Sequence, residues 1–165
     1  MEKAYVRRFG HIKRTKPMDI IKVEGIATSR ADPGAVFSLL KNSDTWPRWS
    51  MFKSAELEQA GQDDPYGVGA IRVFSTSVTR AREQVVELIP DRQFSYVLLS
   101  GLPFRNYRAD VCLTSPGGEG TLITWTASFR CRYGTGWFWR LFMNSVLSDM
   151  ARRLALAAEK NSAAG

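Results

Sequence analysis

The sequence predicts a single α+β domain: a curved antiparallel sheet of about seven strands gripping a long C-terminal helix, with two short helices after the first strand. Three observations predict it. The chain has 165 residues, enough for one domain and too few for two, and its 44% hydrophobic content supports a real core. From Ala55 to Cys131 the text is strand-like segments separated by short turn signals, the mark of an antiparallel meander. Residues 136–160 lack proline and repeat apolar residues at spacings of three and four, the period of a one-sided helix.

In order, residues 19–28 form the first strand, with Ile21, Val23, Gly25 and Ala27 on one face. Asp32-Pro33 opens a helix, aspartate suiting the cap and proline the first helical position. Val36, Phe37, Leu39 and Leu40 give that helix its apolar stripe. Asn42-Ser43-Asp44 interrupts it, and Thr45-Trp46-Pro47-Arg48-Trp49 makes a second short helix or turn. The strand segments are 55–60, 69–75, 78–89, 93–100, 107–115 and 120–131. Breaks fall at Asp63-Asp64-Pro65, Pro90-Asp91, Gly101-Leu102-Pro103 and Ser115-Pro116-Gly117-Gly118. Tyr107, Ala109, Val111 and Leu113 share one face of their strand. Ile123, Trp125, Ala127 and Phe129 share one face of the last. Met143, Val146, Leu147, Met150, Leu154 and Ala157 stripe the final helix, which at about 1.5 Å per residue spans on the order of 35 Å. A sheet curved around a helix leaves a cavity between them, and apolar concave cavities bind small molecules.

Charge is unevenly placed. The formal net charge is +7, which raises nucleic acid or an anionic membrane as partners. Residues 1–18 hold six bases (Lys3, Arg7, Arg8, Lys13, Arg14, Lys16) against Glu2, a net of +5; the other 17 bases and 15 acids leave +2 on residues 19–165. The basicity belongs to an N-terminal arm, with no stacking-aromatic platform, so no nucleic-acid partner is expected. His11, the one histidine, lies in that arm, which argues against a histidine triad or a His-ligated metal. Cys112 and Cys131 stand far apart in no CxxC pattern, no apolar run reaches membrane-spanning length, and no secretory h-region is visible. A reduced, cytoplasmic setting is the expectation, with no metal and no cofactor.

The order of local motifs carries a resemblance. Ala31-Asp32-Pro33 through Phe37 follows the first strand, then Trp46-Pro47-Arg48-Trp49, then Gly67-Val68-Gly69 before a strand. Glu87-Leu88-Ile89-Pro90-Asp91-Arg92, Gly101-Leu102-Pro103, and Gly120-Thr121 with Trp125, Phe129 and the terminal helix complete the set. Over residues 19–160 the chain resembles the polyketide cyclase/dehydrase and lipid-transport family of the START-like (SRPBCC) superfamily. The resemblance implies the helix-grip fold and a deep apolar cavity for polyketides, lipids or aromatic compounds. It implies no single reaction. Residues 1–18 are then a basic arm, 19–160 the ligand-binding domain and 161–165 a flexible tail.

Candidate ligand contacts follow. Trp46 and Trp49, three residues apart, read either as a gate at a cavity mouth or as a packed lid. Tyr96, Tyr107 and Trp125, with Phe94, Leu98, Ala109, Val111 and Ile123 as same-face companions, read as cavity lining or as core. Met143, Leu147 and Met150 face them from the helix. Arg80, Arg82 and Gln84 share a parity with Val86 and Leu88; Glu83, Val85, Glu87 and Ile89 hold the other, and either parity could face inward. If the first does, Arg80 and Arg82 join Tyr96 and Tyr107 as weak catalytic candidates that could polarise a carbonyl. Asp110 and Glu83 are the carboxylates a general base would need; Asp110 has the outward parity and suits a solvated partner of an arginine on a neighbouring strand. Trp137, Phe138, Trp139, Leu141 and Phe142 read as an exposed lip or as a cap on the open end of the sheet.

Three function classes fit: a carrier or binder of a hydrophobic or amphipathic small molecule, a polyketide cyclase/dehydratase acting in the same cavity, and a non-catalytic interaction protein using the arm and the lip. The lip adds peripheral membrane contact as an option, and both monomer and homodimer fit the sequence.

Overall fold

The structure, a computed structural model, describes residues 18–164. The basic arm therefore lies outside the described residues, apart from Met18, which opens the first strand. The elements are β1 (Met18–Ser29), α1 (Pro33–Lys41), a 3-10 turn (Ser43–Thr45), α2 (Trp46–Trp49), β2 (Ser54–Gln59), β3 (Ile71–Ser75), β4 (Arg80–Ile89), β5 (Gln93–Ser100), β6 (Arg105–Thr114), β7 (Thr121–Arg132) and α3 (Gly136–Ala163). One antiparallel sheet runs β1-β7-β6-β5-β4-β3-β2, so every connection except β1 to β2 joins neighbours. α1 and α2 fill the exception. α3 runs on through Ala163, three residues beyond the predicted end.

Local chemistry places the helices. The Asp32 carboxylate accepts the Ala35 N–H at 2.9 Å, and Pro33 occupies the first position of α1. Val36, Phe37, Leu39 and Leu40 are buried beneath it. Thr135 gives α3 no side-chain cap, and the missing acceptor comes from another element. Asp19 Oδ2 on β1 accepts the N–H groups of Gly134 and Gly136, each at 3.1 Å. A carboxylate at that helix start also favours the dipole.

α3 buries Met143, Leu147, Met150, Ala151, Leu154, Ala155 and Ala158 against the sheet. Burying each large apolar chain there stabilises the fold by about 1.5–3 kcal/mol. Contact is closest at Gly25 of β1. A Cβ at that position would collide with the Leu147 carbonyl carbon and the Ser148 nitrogen, so only glycine lets the helix backbone rest on the strand. β7 follows the predicted alternation, with Thr121, Ile123, Trp125, Ala127, Phe129 and Cys131 buried.

Irregularities bend the sheet. Register shifts fall between Leu57 and Gln59, Arg82 and Glu83, Val85 and Glu87, and Arg105 and Arg108, and such bulges increase local twist. The shift around Val86 settles the facing of β4. Ala81, Glu83 and Val85 point inward, the strand then steps, and Leu88 packs on the core while Ile89 is exposed. Neither single parity holds along the whole strand, because one inserted residue exchanges the faces.

Candidate functional site

Between the first half of α3 and the concave sheet lies a cavity of about 450 Å³. Its roof is α3, through Trp139, Phe142, Met143, Val146, Leu147 and Met150. Its floor is sheet, through Ala81, Glu83, Tyr96, Tyr107 and Trp125. The β3–β4 turn (Thr76 to Thr79), the β5–β6 connection (Gly101 to Phe104) and Trp46, Met51 and Phe52 close the ends. A wider depression of about 760 Å³ along Ile26, Thr28, Asp149 and Leu156 is more open to solvent and lies outside the core.

Seven predicted contacts come together in this wall: Trp46, Tyr96, Tyr107, Trp125, Met143, Leu147 and Met150. The other six sit elsewhere. Phe94, Ala109, Val111 and Ile123 are fully buried core, Leu98 is half-buried beside the core, and Trp49 is buried at the end of α2. Ala109 and Val111 are the register partners of the lining residues Tyr96 and Trp125, yet none of the six reaches the cavity. Trp46 stacks on Phe74 with centroids 4.6 Å apart, and its indole N–H donates to the Leu40 carbonyl at 3.1 Å. It is a fixed wall rather than a swinging gate. Trp49 donates to Thr45 Oγ1 at 3.2 Å.

Arg80 and Arg82 are not in the cavity. Arg80 pairs with Glu56 at 3.2 Å, and Arg82 Nε donates to Glu58 Oε2 at 2.8 Å, both on the outer face of the sheet. The physical reason is the facing of β4: with Ala81 and Glu83 inward, the two arginines alternate outward to water and to the acids of β2. Asp110 is held by Arg108 of its own strand at 2.9 Å rather than by a neighbouring strand's arginine, and Arg108 also reaches Glu87 of β4 at 2.8 Å. From the aromatic run, Trp139 and Phe142 join the cavity wall, Trp139 standing edge-on to Phe104 with centroids 4.9 Å apart. Trp137, Phe138 and Leu141 are exposed.

The charge in the site is a pair: sequence reasoning weighs Glu83 as a possible base but misses Arg72. Arg72 is wholly buried on β3, directly opposite Glu83 on β4. Its Nη2 donates to Glu83 Oε2 at 3.2 Å and its Nη1 to the Leu40 carbonyl at 3.3 Å. The guanidinium carbon stands 4.7 Å from the Trp46 ring, 4.9 Å from Phe74, 4.7 Å from Phe94 and 5.4 Å from Tyr96. Four aromatic faces stabilise a cation that water cannot reach. Arg72 Nε is buried without a hydrogen-bond partner, so the guanidinium depends on those rings and on Glu83. No spacing rule flags Arg72; what could have found it is the pairing register, which sets it against the one inward acid of β4.

Glu83 is 7% exposed and lines the cavity. Burial pushes its carboxyl up to about 7, against the opposing pull of Arg72. Burial lowers Arg72, which still carries its proton at neutral pH. Tyr96 accepts the Trp125 indole N–H at 3.2 Å. Burial raises both Tyr96 and Tyr107 above the usual phenol range, and the Glu83 charge adds to each shift, so both keep their protons as donors. The arrangement is an apolar chamber with one carboxyl and two phenols in its floor. Among the described residues no cluster of histidine, cysteine and carboxylate suits a metal ion, and no helix is long and apolar enough to cross a membrane.

Sheet and helix define a START-like, helix-grip fold. Within it, the chain belongs to the polyketide cyclase/dehydrase and lipid transport family, whose model matches residues 21–160. Solved structures agree in fold. A START superfamily protein from Mycobacterium smegmatis is 14% identical with a TM-score of 0.73, over 84% of this chain and 97% of that one. The Zhui aromatase/cyclase from a Streptomyces species is 16% identical with a TM-score of 0.71, over 89% and 99%. A point mutant of norcoclaurine synthase from Thalictrum flavum, in complex with a transition-state analogue, is 11% identical with a TM-score of 0.70, over 90% and 99%. No curated protein matches the chain by sequence.

Proposed function

We propose that residues 19–160 bind a hydrophobic or amphipathic small molecule, a polyketide, lipid or aromatic compound, in the chamber under α3. The observation that carries this reading is the chamber itself: about 450 Å³ between helix and sheet, walled mainly by aromatic and aliphatic side chains. Pockets of a few hundred Å³ with few polar groups suit drug-sized apolar ligands. Trp46, Tyr96, Tyr107, Trp125, Met143, Leu147 and Met150 are the proposed contacts. The phenols orient a carbonyl or hydroxyl, and the rest supply area.

A second reading, cyclase or dehydratase chemistry in the same chamber, is favoured by Glu83, an ionisable group that simple carriage does not require. Native mass spectrometry of the protein purified from its own host tests the first reading. A retained small molecule released on unfolding is the expected result. A bare chain that also fails to enhance Nile red fluorescence overturns it.

A further inference from the structure

We propose that Glu83 is the acid–base residue of the chamber, withdrawing a proton from an activated carbon of a neutral, flat, apolar substrate while the phenols of Tyr96 and Tyr107 receive the charge that develops on its oxygen. This rests on the chamber being a ligand site, and it adds the reaction class and the kind of substrate.

Four observations carry it. Glu83 lines the cavity from the middle of β4, where the other inward residues, Ala81 and Val85, are small or apolar. One of its oxygens, Oε2, is fixed by Arg72; Oε1 makes no hydrogen bond among the described residues. The carboxyl is thus oriented through one oxygen and available through the other. Arg72 is held against four rings and the Leu40 carbonyl, so the pair cannot swing. Arg72 is a positioning residue: fully buried, it does not line the cavity. Among the described residues, the charged and titratable groups facing Glu83 are Arg72 from β3, Tyr96 from β5 and Tyr107 from β6. The α3 residues in the wall (Trp139, Phe142, Met143, Val146, Leu147, Met150) and Trp125 of β7 carry none. Burial outweighs the pull of Arg72 in setting the basicity of this carboxylate, and a base poised near the working pH is the most effective.

The same geometry selects the substrate. With Glu83 ionised, as a base must be, Arg72 and Glu83 together are neutral, so an incoming carboxylate or phosphate would bury a second negative charge beside Glu83 with no further cation in the wall among the described residues. A neutral ketone or flat aromatic compound meets no such cost. Its acidic C–H can face Oε1 and its oxygen the phenols.

The probe is 5-nitrobenzisoxazole, small, flat and neutral. Glu83 takes the C3 proton, the C–H electron pair forms the nitrile, and the N–O bond breaks with its pair on the phenolate oxygen. The product, 2-cyano-4-nitrophenolate, is coloured. Binding is read separately, by quenching of tryptophan fluorescence, since Trp46, Trp125 and Trp139 stand in the wall. The expected result is turnover whose kcat/KM rises with pH through one ionisation near neutrality, and a loss of about 100-fold in Glu83→Gln with quenching intact. Glu83→Asp, a carboxylate drawn back by one methylene, keeps the shape of the pH profile at a reduced rate and serves if the glutamine variant folds poorly. Bound probe with no turnover beyond that of free acetate overturns the assignment and leaves the binding reading standing. So does an unchanged rate in folded Glu83→Gln. Absence of quenching in the wild-type protein overturns both.

Discussion

Arg72 and Glu83 are directly opposed residues of β3 and β4, and the bond between them, 3.2 Å from Nη2 to Oε2, joins the hydrophobic core to the floor of the cavity. Removing the cation alone leaves an uncompensated acid in an apolar wall. Arg72→Met should therefore destabilise the fold by about 3–5 kcal/mol, whereas Arg72→Met with Glu83→Leu should recover most of that loss. Urea unfolding of the wild type, both single variants and the double variant measures the coupling. Additive losses would mean that the two side chains act independently.

Stability should fall as pH rises across the Glu83 titration. The folded carboxyl titrates at about 7, above its ordinary value of 4.5, so between those values the native state holds a proton that the unfolded chain has lost. The resulting stabilisation is fully present below about pH 4.5 and disappears as pH rises through 7, on the order of 3 kcal/mol in all. Urea midpoints from pH 4.5 to 8 should slope downward in the wild type, and the slope should flatten in Glu83→Gln. Equal slopes in the two proteins would contradict the placement of the acid.

Asp19 caps a helix more than a hundred residues away in the chain, through the N–H groups of Gly134 and Gly136. Asp19→Ala should cost about 1 kcal/mol, and Asp19→Asn less, because an amide oxygen still accepts. A urea midpoint in Asp19→Ala equal to that of the wild type would show that water replaces the cap.

Ala81 offers a way to fill the chamber without touching its polar groups. It lies in the wall at 4% exposure. Ala81→Leu should weaken binding of Nile red by about tenfold or more, equivalent to about 1.4 kcal/mol, while leaving the thermal midpoint unchanged or raised. Fluorescence titration beside thermal unfolding separates the two effects. Loss of stability without loss of binding would place the ligand elsewhere.

The elements were legible because each rests on local chemistry. Asp32-Pro33 starts α1, the proline and glycine breaks separate the strands, and the three-and-four spacing after Gly136 writes α3. The site was legible only where alternation continues unbroken. Tyr107 and Trp125 sit on strands whose alternation reads cleanly over their inner stretches, and both are in the wall. Arg80 and Arg82 failed as site residues because facing along β4 depends on the shift around Val86, which no residue type announces. Arg72 escaped notice for a related reason. A buried arginine looks like a surface one until the opposing strand supplies Glu83 and the core supplies four rings. Phe94, Val111 and Ile123 show the remaining limit, since core and cavity lining carry the same pattern and differ only in what stands opposite.

Gly25 makes α3 a lever. The helix touches the sheet backbone-to-backbone near Leu147, while the segment from Gly136 to that point, about 16 Å long at 1.5 Å per residue, roofs the chamber. Tilting it by roughly 4° about that fulcrum moves its start by about 1 Å. The height of the chamber thus depends on a strand residue with no side chain. Variation at that fulcrum would reshape the chamber under the helix while leaving each residue of the wall unchanged.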